Sequence, residues 1–243
     1  MELSTIVERF ASALVEVDTT TQTLKHNQRT KEPYLPGVIT LSEVETVSEV
    51  RNIWLREYPM EFQTPSDVEI EFQYPNIPRA RCDLVFSSDG LGVGSPEWAI
   101  EVKRIQFVGD NGNNNDFNVQ KILSPYLKDR SLIHDIHNLK TDPIGRRQAV
   151  LGYCFEYDFE SCDEALARHP AEAFRIKNLR SVCKKNDPQS GELHAGPILS
   201  FADQIFVERG LATSLIEKSF ENAWRHPCGG KGRVFAWEVP GRI

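Results

Sequence analysis

The chain opens with apolar residues at helical spacing. Ile6, Val7, Phe10 and Leu14 share one face of a short amphipathic helix over residues 3–16. From Asp18 to Gly37 that pattern is lost, and a composition rich in Thr, Gln and Lys with Pro33 and Pro36 marks a loop or linker. A second helix starts at Thr40 or Ser42 and runs to about Tyr58, where Pro59 ends it, with Leu41, Val44, Val47, Val50 and Trp54 as its apolar stripe. Residues 68–74 (VEIEFQY) alternate as a strand does, and Pro75 to Pro78 turn the chain into a second strand, 79–86 (RARCDLVF). A Gly-rich connection, 87–95, leads to a third strand within 96–107 (PEWAIEVKRIQF). Beyond the loop 109–116 (GDNGNNND), Ser124 and Pro125 have the character of a helix start, and Leu132, Ile136 and Leu139 continue one face to about Lys140. Residues 147–157 (RQAVLGYCFEY) predict another strand, and 161–185 a helix that Pro170 splits. The remaining pattern predicts strand over 198–207, helix over 212–225 and a last strand over 233–239. Helix, three strands, helix, strand in the middle of the chain is the order of an α/β protein with a mixed central sheet flanked by helices.

A few charged residues interrupt these apolar stripes. Asp83 is the only acid among Cys82, Leu84, Val85 and Phe86. In the next strand Glu101 and Lys103 are two residues apart, so they project from the same face. Glu43 falls inside the apolar stripe of its helix, between Val47 and Val50, whereas Glu45 and Glu49 lie on the opposite side. Either Thr40 with Glu43 or Ser42 with Glu45 satisfies the spacing of a capping box, and only the second leaves Glu43 free to face inward.

Composition narrows the class. The 243 residues are enough for a full core, and 40% apolar with 26% charged residues is ordinary for a folded protein. No window approaches a membrane span, and Glu2, Glu8, Glu16 and Asp18 do not resemble a secretory signal, so a cytoplasmic location is expected. The five cysteines are odd in number, widely spaced and without a C-x-x-C pair, which points to free thiols. A net charge of -7 gives no general attraction to a polyanion, so nucleic-acid binding would need a local basic surface. Arg81, Arg104, Lys121, Lys128 and Arg130 are its candidates near the acidic strands, and Lys177, Arg180 and Lys184 form a basic stripe further on whose bland reading is a solvated helix face.

With Asp83 in the second strand and Glu101-Val102-Lys103 in the third, the span from Thr40 to Tyr157 resembles the PD-(D/E)XK superfamily of restriction-endonuclease-like nucleases. Cys82 stands where the family name expects proline, a position that varies within the family. The resemblance implies a restriction-endonuclease-like αβββαβ core over residues 38–158, preceded by an N-terminal helix and linker (1–37) and followed by a C-terminal α+β elaboration (159–243). It implies a nuclease that hydrolyses DNA, with RNA as another possible target, using Mg2+ or Mn2+ held by Asp83, Glu101 and the main-chain carbonyl of Val102. Lys103 would orient or help deprotonate the attacking water, and Glu43 matches the first-helix acid of the family. Many relatives act as dimers, so a homodimer is an expectation by analogy. The chemistry agrees with this independently: a divalent cation can activate water and neutralise growing phosphate charge, and Mg2+ needs only one or two carboxylates beside water and substrate oxygens.

Other motifs carry less. An E-x-K pair on an ordinary strand is also a common surface ion pair. Gly90-x-Gly92-x-Gly94 precedes a strand and not a helix, which removes the phosphate-binding geometry. His134 and His137 sit at helical spacing suited to zinc, but the sequence places no third ligand. No G-x-S-x-G elbow occurs, and the 226–231 segment (HPCGGK) reads as a tight turn. The rival to an enzyme is a catalytically silent binding or scaffold protein on the same fold.

Overall fold

The computed structural model describes residues 1–22, 25–28, 30–88, 92–94, 96–115, 118–126 and 130–241. Six strands form one mixed sheet in the order β1 (Val68–Gln73), β2 (Arg81–Phe86), β3 (Trp98–Ile105), β4 (Arg147–Glu156), β6 (Gly230–Glu238) and β5 (Ile216–Ala223). Only β3 and β4 run parallel; every other neighbouring pair is antiparallel. A parallel pair needs a crossover. Here it passes through α3 (Asn118–Leu123) and α4 (Leu132–Thr141), and α4 lies against both strands it joins. After β4 the chain forms α5 (Phe159–Arg168), α6 (Ala173–Asn186) and α7 (Gly196–Glu208), then returns as the β5–β6 hairpin, whose second strand pairs with β4.

Two further helices pack on the sheet. α1 (Leu3–Thr20) packs on β5 and β6, and α2 (Glu43–Glu57) packs on β1, β2 and β3. Between them Phe10 and Trp54 meet edge to face at 6.5 Å, and Trp54 meets Phe86 of β2 at 5.6 Å in the same manner, which is the preferred aromatic geometry. Because helices cover β3 from both directions, Trp98, Ala99, Ile100 and Val102 are all fully buried. Glu101 and Lys103 are therefore charges inside a covered central strand, at 5% and 6% exposure, and not a pair on a wet surface.

Four local expectations are corrected. Residues 198–207 lie within helix α7, which Pro197 opens and which buries Leu199, Ala202 and Phe206 at a helical interval. Residues 216–223 form strand β5, although Ile216, Phe220 and Ala223 imitate a helical stripe. A register shift between Phe220 and Ala223, with Asn222 at φ 69°, lets both side chains face inward from one edge strand. Ser124 and Pro125 lie beyond the end of α3, and α4 starts after Ser131, whose hydroxyl donates to the Ser124 carbonyl at 2.5 Å. The first helix runs on to Thr20, further than the predicted residue 16. No helix among the described residues is long and apolar enough to cross a membrane.

Candidate active site

Strand register brings Asp83 and Glu101 together. Leu84 faces Ile100 across the antiparallel β2–β3 pair, so Asp83 faces Glu101 one step further along, and opposed residues project from the same side of a sheet. Lys103, two positions beyond, shares that side. Asp83 Oδ2 accepts from the Val102 main-chain N–H at 2.7 Å, and Glu101 Oε1 accepts from the Tyr74 hydroxyl at 2.7 Å. Asp83 is thus held from the adjacent strand, and Glu101 by a residue that follows the end of β1, two strands away.

Glu43 arrives from the start of α2. Ser42 caps that helix and forms the reciprocal capping box with Glu45, which resolves the two possible boxes and leaves Glu43 free to turn inward. Its Oε2 accepts from the Arg104 main-chain N–H at 2.7 Å, and its Oε1 lies 3.4 Å from Lys103 Nζ. Val44, placed in the apolar stripe by its spacing, is instead 42% exposed.

A further acid joins the cluster. Asp135 Oδ2 on α4 stands 3.2 Å from Lys103 Nζ, and the residue is 6% exposed. Sequence reasoning did not select it, yet it left the same signal as Glu43, an acid inside an apolar stripe, three residues after Leu132 and four before Leu139. Tyr74, which holds Glu101, ends the first alternating run and left no signal of its own.

Four carboxyls around one ammonium in a covered site repel one another. Burial, then the charge of Glu43, pushes Asp83 up to about 6. Burial, then the charges of Asp83 and Asp135, drives Glu101 well above the carboxylate range, and the hydrogen bond between Glu101 and Asp83 favours a protonated Glu101 beside an ionised Asp83. Asp135 rises to about 7, where burial outweighs the attraction of Lys103. For Lys103 burial alone would lower the pKa, but Asp135, Glu43, Asp83 and Glu101 together outweigh it and the net shift is upward. In this arrangement Lys103 is an ammonium and not a free amine.

The basic candidates are scattered. Arg104 sends its guanidinium NH1 to the carbonyls of Ile39, at 3.1 Å, and Leu41. Arg81 is exposed at the start of β2, 3.5 Å from the Glu71 carbonyl, and Lys121 lies in the last turn of α3. Arg130 is exposed just before α4, whereas Lys128 lies outside the described residues. In the α6 stripe Arg180 is already paired with Asp163. His134 and His137 contact Asn138 and Thr141 of their own helix at 3.5 Å.

Among the described residues no group of three or more metal-ligating side chains is preassembled. The donor set nevertheless suits a hard divalent cation, because the half-buried Asp83 and the buried Glu101 are adjacent oxygen donors, and Mg2+ requires no more than one or two protein carboxylates. Each of the five cysteines is a buried free thiol. No protein-family model, no characterised protein and no solved structure matches the chain.

Proposed function

We propose that this protein is a divalent-metal-dependent nuclease that hydrolyses DNA phosphodiester bonds, on a restriction-endonuclease-like core spanning α2 to β4. The observation that carries the reading is the burial of Glu101 and Lys103 in a central strand with Asp83 in register beside them, because an ordinary surface ion pair would be solvated. Charged groups held at this burial need a partner of opposite charge, and one lysine is too little for the carboxyls around it.

Asp83 and Glu101 would hold Mg2+ or Mn2+, which supplies Lewis-acid neutralisation of the phosphate and a water activated near neutral pH. The hydroxyl of Tyr74 orients Glu101, and the Val102 N–H orients Asp83. Lys103 acts as a fixed positive charge that steadies the scissile phosphate and points the attacking water, a role its charged state suits better than proton abstraction. Glu43 and Asp135 hold the ammonium in place between two helices. Glu43 is the more exposed of the two.

The test is cleavage of supercoiled plasmid, linear duplex and single-stranded DNA with Mg2+ or Mn2+ against EDTA, using Asp83→Asn and Lys103→Ala. Cutting that needs metal and is lost in both folded variants supports the reading. Cutting that survives both places the activity outside this site, and none on any substrate favours a silent scaffold; either outcome sinks the reading.

A further inference from the structure

A second feature begins where the acidic site ends. Ser42, Thr40 and Arg104 line a hollow of about 340 Å3 at the start of α2, next to Glu43. Tyr34 and Asp110 line this hollow and also a neighbouring one of about 410 Å3, which reaches Phe174 and Arg175 at the start of α6. Each is large enough to admit a nucleotide-sized ligand. Two lining residues are common to both, so the hollows adjoin at Tyr34 and Asp110 and form a two-part groove that starts beside the acidic cluster.

The chemistry of the groove is that of base stacking. Phe174 is 74% exposed, and no core contact accounts for a phenyl ring left in solvent there. Tyr34 supplies a second ring at the junction. Arg104 is positively charged, and its guanidinium bonds go to the Ile39 and Leu41 carbonyls, which take none of that charge. The wall between the hollows is rigid: Asp110 Oδ1 accepts from Nε2 of the fully buried His226 at 2.8 Å, while His226 Nδ1 accepts from the Cys228 N–H at 3.0 Å. That acid, with Glu32, excludes phosphates from the groove floor but can accept from the amino groups of bases.

We propose that this groove binds single-stranded DNA with its bases inward, stacked on Tyr34 and Phe174, and its phosphates outward, so that the strand is led past Arg104 to the acidic site. The assignment rests on the nuclease reading for its purpose, but not for its binding chemistry. A net charge of -7 gives no general attraction to phosphate, and stacking is the sequence-tolerant alternative.

Binding is measured with the full-length protein in EDTA, by fluorescence anisotropy of a labelled single-stranded DNA of about 12 nucleotides and of the matching blunt duplex. The single strand should bind at least ~10-fold tighter, with a shallow salt dependence reflecting few phosphate contacts. Phe174→Ala and Tyr34→Ala should each weaken it about 5- to 150-fold, and Phe174→Trp should retain it. Equal affinity for single strand and duplex, no binding of either, or unchanged affinity in both alanine variants would overturn the proposal. The two readings fail separately: a groove that binds the strand while the parent protein shows no metal-dependent cutting refutes the nuclease and leaves the groove standing.

Discussion

Lys103 Nζ lies 3.2 Å from Asp135 Oδ2, and each side chain is only 8% exposed, although one belongs to a central strand and the other to the crossover helix. This contact ties α4 to the face of β3 that carries Glu101. It also concentrates negative charge, since Glu43 and Asp83 surround the same lysine.

The pH dependence of stability follows from that crowding. Asp83 and Asp135 are raised from 3.8 to about 6 and about 7, so between about pH 4 and pH 7 the folded protein binds more protons than the unfolded chain. Their favourable contribution is complete at low pH and is lost as pH rises through the folded values. Denaturation in EDTA should therefore show stability falling by on the order of 6 kcal/mol across this window. Asp135→Asn, which imitates the protonated form, should flatten the fall, and an unchanged slope in that variant would contradict the assignment.

Lys103→Met removes the only cation named at the centre of the cluster and leaves the acids facing each other. Breaking a buried pair from one side costs about 3–5 kcal/mol. The loss should be large at pH 8 and much smaller at pH 5, where the carboxyls neutralise themselves by protonation. Guanidinium denaturation at the two pH values measures it, and equal losses would show that only packing was removed.

Much of this site was legible in the chain because each acid occupies a position where periodicity calls for an apolar residue. Asp83 in its strand and Glu43 in its helix stand out on those grounds, and Glu101 with Lys103 by spacing alone. Asp135 carried the same mark and was hidden by the competing interest of its neighbours His134 and His137. Tyr74 was not legible, because an aromatic residue at the end of a strand is ordinary until the strand register places its hydroxyl on Glu101. The C-terminal third misled for a backbone reason: the shift beside Asn222 turns alternation into a false helical period, and Leu199, Ala202 and Phe206 were masked by the apolar residues among them. Pattern reports which side chains want burial; it does not report an irregular strand.

Tyr74→Phe keeps the ring in its buried seat and removes one hydrogen bond to Glu101. A cost of about 1–2 kcal/mol in stability is expected. More informative is the metal: without the hydroxyl, the ionised form of Glu101 loses a donor, so affinity for Mg2+ or Mn2+ should fall several-fold. Calorimetric titration of metal into both proteins tests this, and equal affinities would remove Tyr74 from the positioning of Glu101.

Metal binding should act as the missing counter-charge. At a hundredfold excess over its dissociation constant, Mg2+ bound only by the folded chain adds about 2.7 kcal/mol, on the order of 5–10 °C for a protein of this size. Because Asp83 and Glu101 must be ionised to ligate, the gain should grow from pH 5.5 to pH 8, and binding should release protons, visible as a buffer-dependent heat. Asp83→Asn leaves a side chain of the same shape that can still accept from the Val102 N–H, so the fold should survive while the thermal gain vanishes. A shift of equal size in that variant would place the metal elsewhere, and the absence of any shift in the parent protein up to millimolar Mg2+ and Mn2+ would deprive Asp83 and Glu101 of the role given to them.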